Sequence, residues 1–177
     1  SRALLAATPY VLLCNPNNPT AQPQSRPALL AAAEELAARG GWLIVDEAFI
    51  DPTPEDSLAS LAGTAAAPNL IVLRSLGKFF GLAGIRVGFI FSSAQIRQQL
   101  AERLGPWAVA GPSRAVARLA LQDVVWQEAA RTALQAQSAR LNALLAPLGP
   151  TRATALFVTL KTEKAAALYE FFAQRAI

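Results

Sequence analysis

The sequence has no histidine, no methionine and a single cysteine, Cys14, among its 177 residues. Without histidine, the chain cannot form a Ser-His-Asp or Cys-His catalytic arrangement or an imidazole metal site. One cysteine cannot form an intrachain disulfide or a cysteine-based zinc site. We therefore expect no metal, and we expect any chemistry to depend on carboxylates, lysine, arginine, hydroxyl groups or a bound cofactor.

Charged residues are also scarce, at 16% of the chain, and lysine accounts for only three of the 16 basic residues. The arginines are scattered singly with no basic run, so the net charge of +4 does not indicate a nucleic-acid partner. Single arginines suit small anionic groups, which they bind in a bidentate manner. No apolar run reaches the roughly 18 residues that span a bilayer, and from the opening residues we expect no signal peptide. We expect a cytoplasmic protein without membrane association.

Hydrophobic residues make up 53% of the chain, which excludes disorder and is enough for a buried core. Short apolar runs alternate with longer helical patterns, and this alternation is typical of an α/β fold with a parallel sheet. The patterns predict strands at 10–14, 42–45, 70–73, 87–91 and 156–160. They predict helices between 25 and 40, near 57–61, at 93–105, 113–121 and 124–145, and at 162–175.

A Leu-Gly-Pro sequence at 148–150 predicts a domain junction. We predict that residues 1–146 form a large domain that is incomplete at its N-terminus, and that residues 147–177 begin a small domain. One strand and one helix after the junction are too little to bury a core alone. The abrupt start without methionine likewise indicates part of a longer protein.

Polar side chains follow the predicted strands, at the edge where open α/β sheets bind their ligands. They are Asn18 in an Asn-Pro turn, Asp46, Ser75 with Lys78, and Arg86. Each alone is also explained as a turn residue, a helix cap or a solvated side chain. Together, a carboxylate, a lysine, a hydroxyl and an arginine are what pyridoxal phosphate (PLP) requires.

A phosphate-binding P-loop is excluded as an interpretation of the Gly77-Lys78 pair. Such a loop needs glycine five residues before Gly77 and Ser or Thr after the lysine. Val72 and Phe79 occupy those positions. Nucleotide hydrolysis through this motif is therefore not expected.

Three motifs in the chain resemble those of fold-type-I PLP enzymes in the histidinol-phosphate aminotransferase-like branch. They are Asn-Pro-Asn-Asn-Pro-Thr at 15–20, Asp-Glu-Ala-Phe at 46–49, and the Ser-Leu-Gly-Lys-containing run at 75–88. Their order, spacing and positions at strand ends all match, and the resemblance covers nearly the whole chain. It implies part of the family's large domain, a mostly parallel sheet with flanking helices, followed by the start of an α+β small domain.

The resemblance also implies PLP as the cofactor and a role for each matching residue. Lys78 corresponds to the Schiff-base lysine, and Asp46 to the partner of the pyridine nitrogen. Asn18 corresponds to the ligand of the phenolic oxygen, and Ser75 and Arg86 to ligands of the cofactor phosphate. Lys78 and Asp46 would thus be catalytic.

Three positions depart from the family pattern. Many relatives have tyrosine where Phe49 stands, so a second hydrogen bond to the phenolic oxygen is missing here. Relatives often have Ser or Thr where Gly77 stands, so one phosphate ligand is expected to be lost. Ala21 replaces the usual glycine, a change from which we expect no chemical consequence.

Within the branch, the segments 46–51, 78–81 and 105–112 resemble the threonine-phosphate decarboxylases of cobalamin biosynthesis. This implies PLP-dependent decarboxylation of L-threonine O-3-phosphate to aminopropanol phosphate, in a homodimer acting on a small phosphorylated amino acid. One alternative is an aminotransferase of the histidinol-phosphate type, and another is a non-catalytic α/β module of the same fold. Because family members are longer, we expect this chain alone to be an inactive fragment.

Overall fold

A four-stranded sheet, in the order β1-β2-β3-β4, organises the larger part of the computed structural model, which describes residues 8–177. The first three strands are parallel and the fourth is antiparallel to β3. The strands are β1 (Tyr10–Cys14), β2 (Trp42–Asp46), β3 (Leu70–Ser75) and β4 (Gly88–Phe91). Cys14 pairs with Asp46, and Asp46 with Leu73, so the three parallel strands end at one edge. The predicted α/β fold with a mostly parallel sheet is confirmed.

In the described part of the chain, five α-helices accompany the strands: α1 (Arg26–Ala37), α2 (Ala94–Leu104), α3 (Gly111–Gln122), α4 (Val124–Leu145) and α5 (Ala165–Ala173). Side-chain oxygens of Ser25, Ser93 and Asp123 accept a backbone N–H in the first turn of α1, α2 and α4. Such caps satisfy donors that the helix itself cannot pair, and they explain where these helices begin. No helix among residues 8–177 combines the length and apolar character that a bilayer crossing needs.

A second sheet is an antiparallel hairpin of β5 (Thr151–Ala153) and β6 (Val158–Leu160). The sequence patterns predicted a single strand at 156–160 and missed β5, which has only three residues and no apolar run. The turn between them is fixed by Thr154, whose Oγ1 accepts from the backbone N–H of Phe157 at 3.1 Å. Ser138 on α4 donates to the carbonyl of Thr154 at 2.6 Å, which holds the hairpin against that helix.

The helix predicted near 57–61 is wrong. A 3₁₀ turn at Pro54–Asp56 precedes it, and Ser57 and Leu58 are not helical. The reason is a tertiary contact, because both residues donate hydrogen bonds to the buried carboxylate of Glu47.

The core has two parts. The first lies between α1 and the sheet, where Leu36, Leu43, Leu70 and Val72 are fully buried. The second surrounds Phe79 and Phe80, which are buried against α3 and α4. Phe80 stacks on Trp126 of α4, with ring centroids 5.8 Å apart. This second cluster fixes the loop that carries Lys78, because the two residues that follow Lys78 are held in the core.

Candidate active site

A polar cavity of about 270 Å³ lies where β3 ends and β4 begins. Its lining includes Ser75, Gly77, Lys78 and Arg86. The cavity therefore brings together three of the five residues that the sequence singled out: one hydroxyl and two cations. Arg86 adopts a left-handed backbone with φ of 55°, and its Nη1 donates to the carbonyl of Ala83 at 3.3 Å. This combination suits a small anion such as a phosphate group.

Ser75 and Gly77 form a tight turn in the wall of this cavity. The Gly77 backbone N–H donates to Ser75 Oγ at 3.0 Å, so the hydroxyl proton of Ser75 remains available to another acceptor. A Cβ at position 77 would lie 3.2 Å from Ser75 Oγ and 3.4 Å from the Cα of Ala83. The backbone thus approaches the cavity closely, and the residues present fit the phosphate of a cofactor.

Lys78 has an exposed side chain that faces an aromatic ring. Its Nζ lies 5.4 Å from the ring centroid of Phe49, at the distance of a cation–π interaction. Phe49 in turn packs edge-on against Phe157 of the hairpin, with centroids 5.3 Å apart. The residue that stands where many relatives have tyrosine is therefore next to Lys78, and an apolar contact with the hairpin holds its ring.

Asp46 and Asn18 lie at the ends of neighbouring strands but do not line the 270 Å³ cavity. Asp46 is half-buried, and its Oδ1 accepts from the backbone N–H of Ala48 at 3.0 Å. Asn18 is exposed and precedes a cis peptide bond to Pro19.

Cys14 interacts with both Asp46 and Asn18, and it was not among the predicted site residues. Burial raises the pKa of the Cys14 thiol, a backbone hydrogen bond at Asn18 opposes that rise, and the charge of Asp46 adds to it. In the sheet register Cys14 pairs with Asp46, and its Sγ donates to the carbonyl of Pro16 at 3.3 Å. Its position at the end of the β1 run is the signal that could have found it.

Sequence reasoning also missed a buried charged cluster on the other side of the strand ends. Glu47 is completely buried, and burial raises its pKa despite hydrogen bonds from the backbone of Leu58 and the hydroxyl of Ser57. Asp51 is paired with Arg74, and burial raises the pKa of Asp51 as well. An arginine inside an otherwise apolar strand is the signal that could have indicated this cluster.

The model of the family "Aminotransferase class I and II" matches residues 2–175 of the chain. A threonine-phosphate decarboxylase from Pseudomonas aeruginosa is 49% identical over 169 residues, which cover 94% of this chain and 50% of that protein. A histidinol-phosphate aminotransferase from Aeromonas hydrophila is 38% identical over 147 residues, covering 81% of this chain and 40% of that protein. The chain thus spans half or less of the length of these two relatives.

Among solved structures, histidinol-phosphate aminotransferase from Sinorhizobium meliloti in complex with pyridoxal-5'-phosphate superimposes with a TM-score of 0.85. The match covers 99% of this chain and 51% of that chain at 24% identity. At this identity the likeness shows that the fold is shared.

Proposed function

Since the chain belongs to the aminotransferase class I and II family, we propose that its protein is a PLP-dependent decarboxylase of L-threonine O-3-phosphate. The product would be aminopropanol phosphate, for cobalamin biosynthesis. The observation that carries this choice of reaction is the 49% identity to a threonine-phosphate decarboxylase over 94% of the chain. We further propose a homodimer in the cytoplasm, and a division of the chain into a large-domain part, 1–146, and the start of a small domain, 147–177.

When bound, PLP supplies an electron sink that accepts the electrons of a breaking bond at the substrate Cα. In this proposal Ser75 and Arg86 hold its phosphate, because the cavity offers a hydroxyl proton and a guanidinium. Lys78, which also lines this cavity, would hold the aldehyde carbon of the cofactor covalently. Residues of one cavity would therefore hold both the phosphate and the aldehyde carbon of the cofactor.

Asp46 and Asn18 complete the proposed site from the neighbouring strand ends. The Asp46 carboxylate would accept a hydrogen bond from the protonated pyridine nitrogen and keep that nitrogen charged, which would maintain the electron demand of the ring. Its Oδ1 is already held by Ala48, which orients the carboxylate. Asn18 would donate to the phenolic oxygen. It is the only donor proposed for that oxygen, because position 49 is phenylalanine.

Which bond of the substrate Cα breaks would decide between two reactions. If the bond to the carboxylate breaks, CO₂ would leave, and Lys78 would return a proton to Cα. If the bond to hydrogen breaks, Lys78 would remove that proton, and transamination would follow. The second outcome is the alternative function, an aminotransferase of the histidinol-phosphate type, which is favoured by the 38% identity to such an enzyme.

The test uses the intact natural protein and a PLP titration followed by visible absorbance. We expect a band from the covalent lysine–cofactor linkage, and we expect Lys78→Ala to abolish it. Lys161→Ala is a matched control, because Lys161 is an exposed lysine on the hairpin side of the molecule. A wild-type protein without the band would contradict the enzyme proposal and favour a non-catalytic module.

A second assay separates the two reactions. The protein is incubated with L-threonine O-3-phosphate and no keto-acid acceptor, and CO₂ release is measured. Release that depends on Lys78 is the expected result. Turnover only with histidinol phosphate and 2-oxoglutarate would contradict the decarboxylase and support the aminotransferase.

A further inference from the structure

Beneath the ends of β2 and β3, the buried side chains of Glu47, Asp51 and Ser57 cluster around Arg74, which is partly buried. We call these four residues the arginine cluster, because Arg74 lies at their centre. Its Nη2 is paired with Asp51 Oδ1, and its Nη1 donates to Ser57 Oγ at 3.1 Å and lies 3.8 Å from Glu47 Oε2. Ser57 donates in turn to Glu47 Oε2 at 2.5 Å. One guanidinium thus joins three segments of the chain.

The cluster is adjacent in sequence to two of the proposed cofactor ligands. Glu47 follows Asp46 at the end of β2, and Arg74 precedes Ser75 at the end of β3. Successive side chains of a strand point to opposite faces, so the arginine cluster occupies the face opposite the proposed ligands. A backbone hydrogen bond from Glu47 to the carbonyl of Leu73, 2.9 Å long, joins the two strand ends directly.

A second arginine, Arg131, links the arginine cluster to the loop that carries Lys78, the third proposed cofactor ligand. Arg131 of α4 donates from Nε to the backbone carbonyl of Asp51 at 3.1 Å. Its guanidinium lies 5.5 Å from the ring centroid of Phe79, the residue that follows Lys78. The segments that carry Asp46, Ser75 and Lys78 are therefore tied together by charged contacts behind the site.

We propose that Arg74 is a positioning residue, whose guanidinium holds the ends of β2 and β3 so that Asp46 and Ser75 both meet the cofactor. This inference rests on the proposed function. Arg74 does not touch the cofactor in this view, and it acts through the backbone next to each ligand. A planar fork with several donors can bind two carboxylates in fixed directions, which an ammonium group cannot do.

Stability alone is a weak reason for such a cluster. A buried ion pair often contributes no more than a well-packed apolar replacement, because desolvation offsets the attraction. Here Arg74 Nε and Asp51 Oδ2 are buried without a hydrogen-bond partner among residues 8–177. A cluster with unsatisfied atoms gains less stability than a saturated one, whereas its directional contacts still fix geometry.

The test compares Arg74→Met, which removes the guanidinium, with Arg74→Lys, which keeps one positive charge, in the intact protein. Three quantities are measured: the Kd for PLP, the pH titration of the visible band, and the free energy of unfolding without PLP. Arg140→Met is the control, because Arg140 is an exposed arginine of α4. We expect Arg74→Met to weaken PLP binding about tenfold or more and to shift the band's titration, as displacement of ligands does.

Arg74→Lys should stay folded even if Arg74→Met does not, and it should still weaken PLP binding by roughly threefold or more, because one ammonium cannot bind both carboxylates. If Arg74→Lys, and Arg74→Met where it folds, keep the wild-type Kd and titration, the positioning role is overturned, whatever happens to unfolding. If the wild-type protein itself gives no visible band, the proposed function fails and this inference fails with it. The two failures are therefore distinguished by the wild-type spectrum.

Discussion

Gly77 offers a test of the proposed phosphate site in which a single side chain is added. It lines the cavity with Ser75, Lys78 and Arg86, and the family resemblance expects Ser or Thr at this position. Gly77 does not have a positive φ, so a side chain there causes no left-handed strain. We predict that Gly77→Ser tightens PLP binding by supplying the missing hydroxyl.

The expected size of the effect follows from two opposing contributions. A hydrogen bond to a charged acceptor contributes about 1.5–3 kcal/mol net. The new Cβ would lie 3.2 Å from Ser75 Oγ, so this hydroxyl must move by a few tenths of an ångström. Displacing a side chain from its rotamer costs about 0.5–1.5 kcal/mol. The difference is on the order of 1.4 kcal/mol, which corresponds to a tenfold lower Kd.

Gly77→Ala is the matched control, because it adds the same Cβ without the hydroxyl. Equilibrium dialysis or a visible-absorbance titration gives the Kd of each variant. We expect the serine variant to bind PLP roughly tenfold more tightly than wild type, and by a still larger factor than the alanine variant, because the alanine carries the same steric cost without the hydroxyl. The alanine variant should bind no more tightly than wild type. If the serine variant binds PLP no more tightly than the alanine variant, Gly77 does not face the cofactor phosphate, and the assignment of this cavity is refuted.

Two further predictions concern stability. Gly63→Ala should lower the free energy of unfolding by about 4 kcal/mol or prevent folding, because at φ of +70° its Cβ would lie 1.9 Å from the backbone nitrogen of Ser93. Gly40→Ala has the same φ but no atom within 4 Å of its Cβ. It should therefore lower the free energy of unfolding in urea by only about 1–2 kcal/mol. Equal losses would contradict the steric argument. Burial raises the pKa of Glu47 from 4.5 and of Asp51 from 3.8, so the folded state binds more protons, and their contribution to stability falls as pH rises through the raised values. The free energy of unfolding of Glu47→Gln, taken relative to that of wild type, should therefore be higher at about pH 7 than at about pH 5. A difference between the two proteins that does not change with pH would contradict the raised pKa.

Local patterns were sufficient for the elements that bury continuous apolar runs. The strand predicted at 10–14 is observed as Tyr10–Cys14, and the helix predicted at 124–145 as Val124–Leu145. Positions at strand ends also indicated which polar residues share an edge. That inference needs only the parallel topology, which the alternation of strands and helices already indicates.

Contacts between distant parts of the chain could not be predicted in the same way. Arg74 and Asp51 are 23 residues apart, and Arg131 and Asp51 are 80 apart, so no local pattern encodes their pairing. The helix predicted near 57–61 failed for the same reason, since its residues bind the carboxylate of Glu47 instead.

Ala21 illustrates an effect that sequence reasoning left open. Its replacement of the usual glycine has no evident chemical role, but its backbone is left-handed, with φ of 54°, and its methyl group is buried. A left-handed alanine is disfavoured by roughly 1–2 kcal/mol, which the burial of its methyl group partly offsets. The consequence of this substitution is therefore conformational.

The charged residues at the strand ends also specify the register of the sheet. The apolar parts of β2 and β3 are continuous, Trp-Leu-Ile-Val and Leu-Ile-Val-Leu, so hydrophobic alternation distinguishes their two faces only weakly. A slip of one residue would exchange the faces of every side chain in the strand. It would move Glu47 or Arg74 away from its buried partners and leave an unpaired charge, which is strongly destabilising. The pairs Asp46-Glu47 and Arg74-Ser75 thus do two things at once: one member of each pair lies in the proposed site, and the other fixes the register that puts it there.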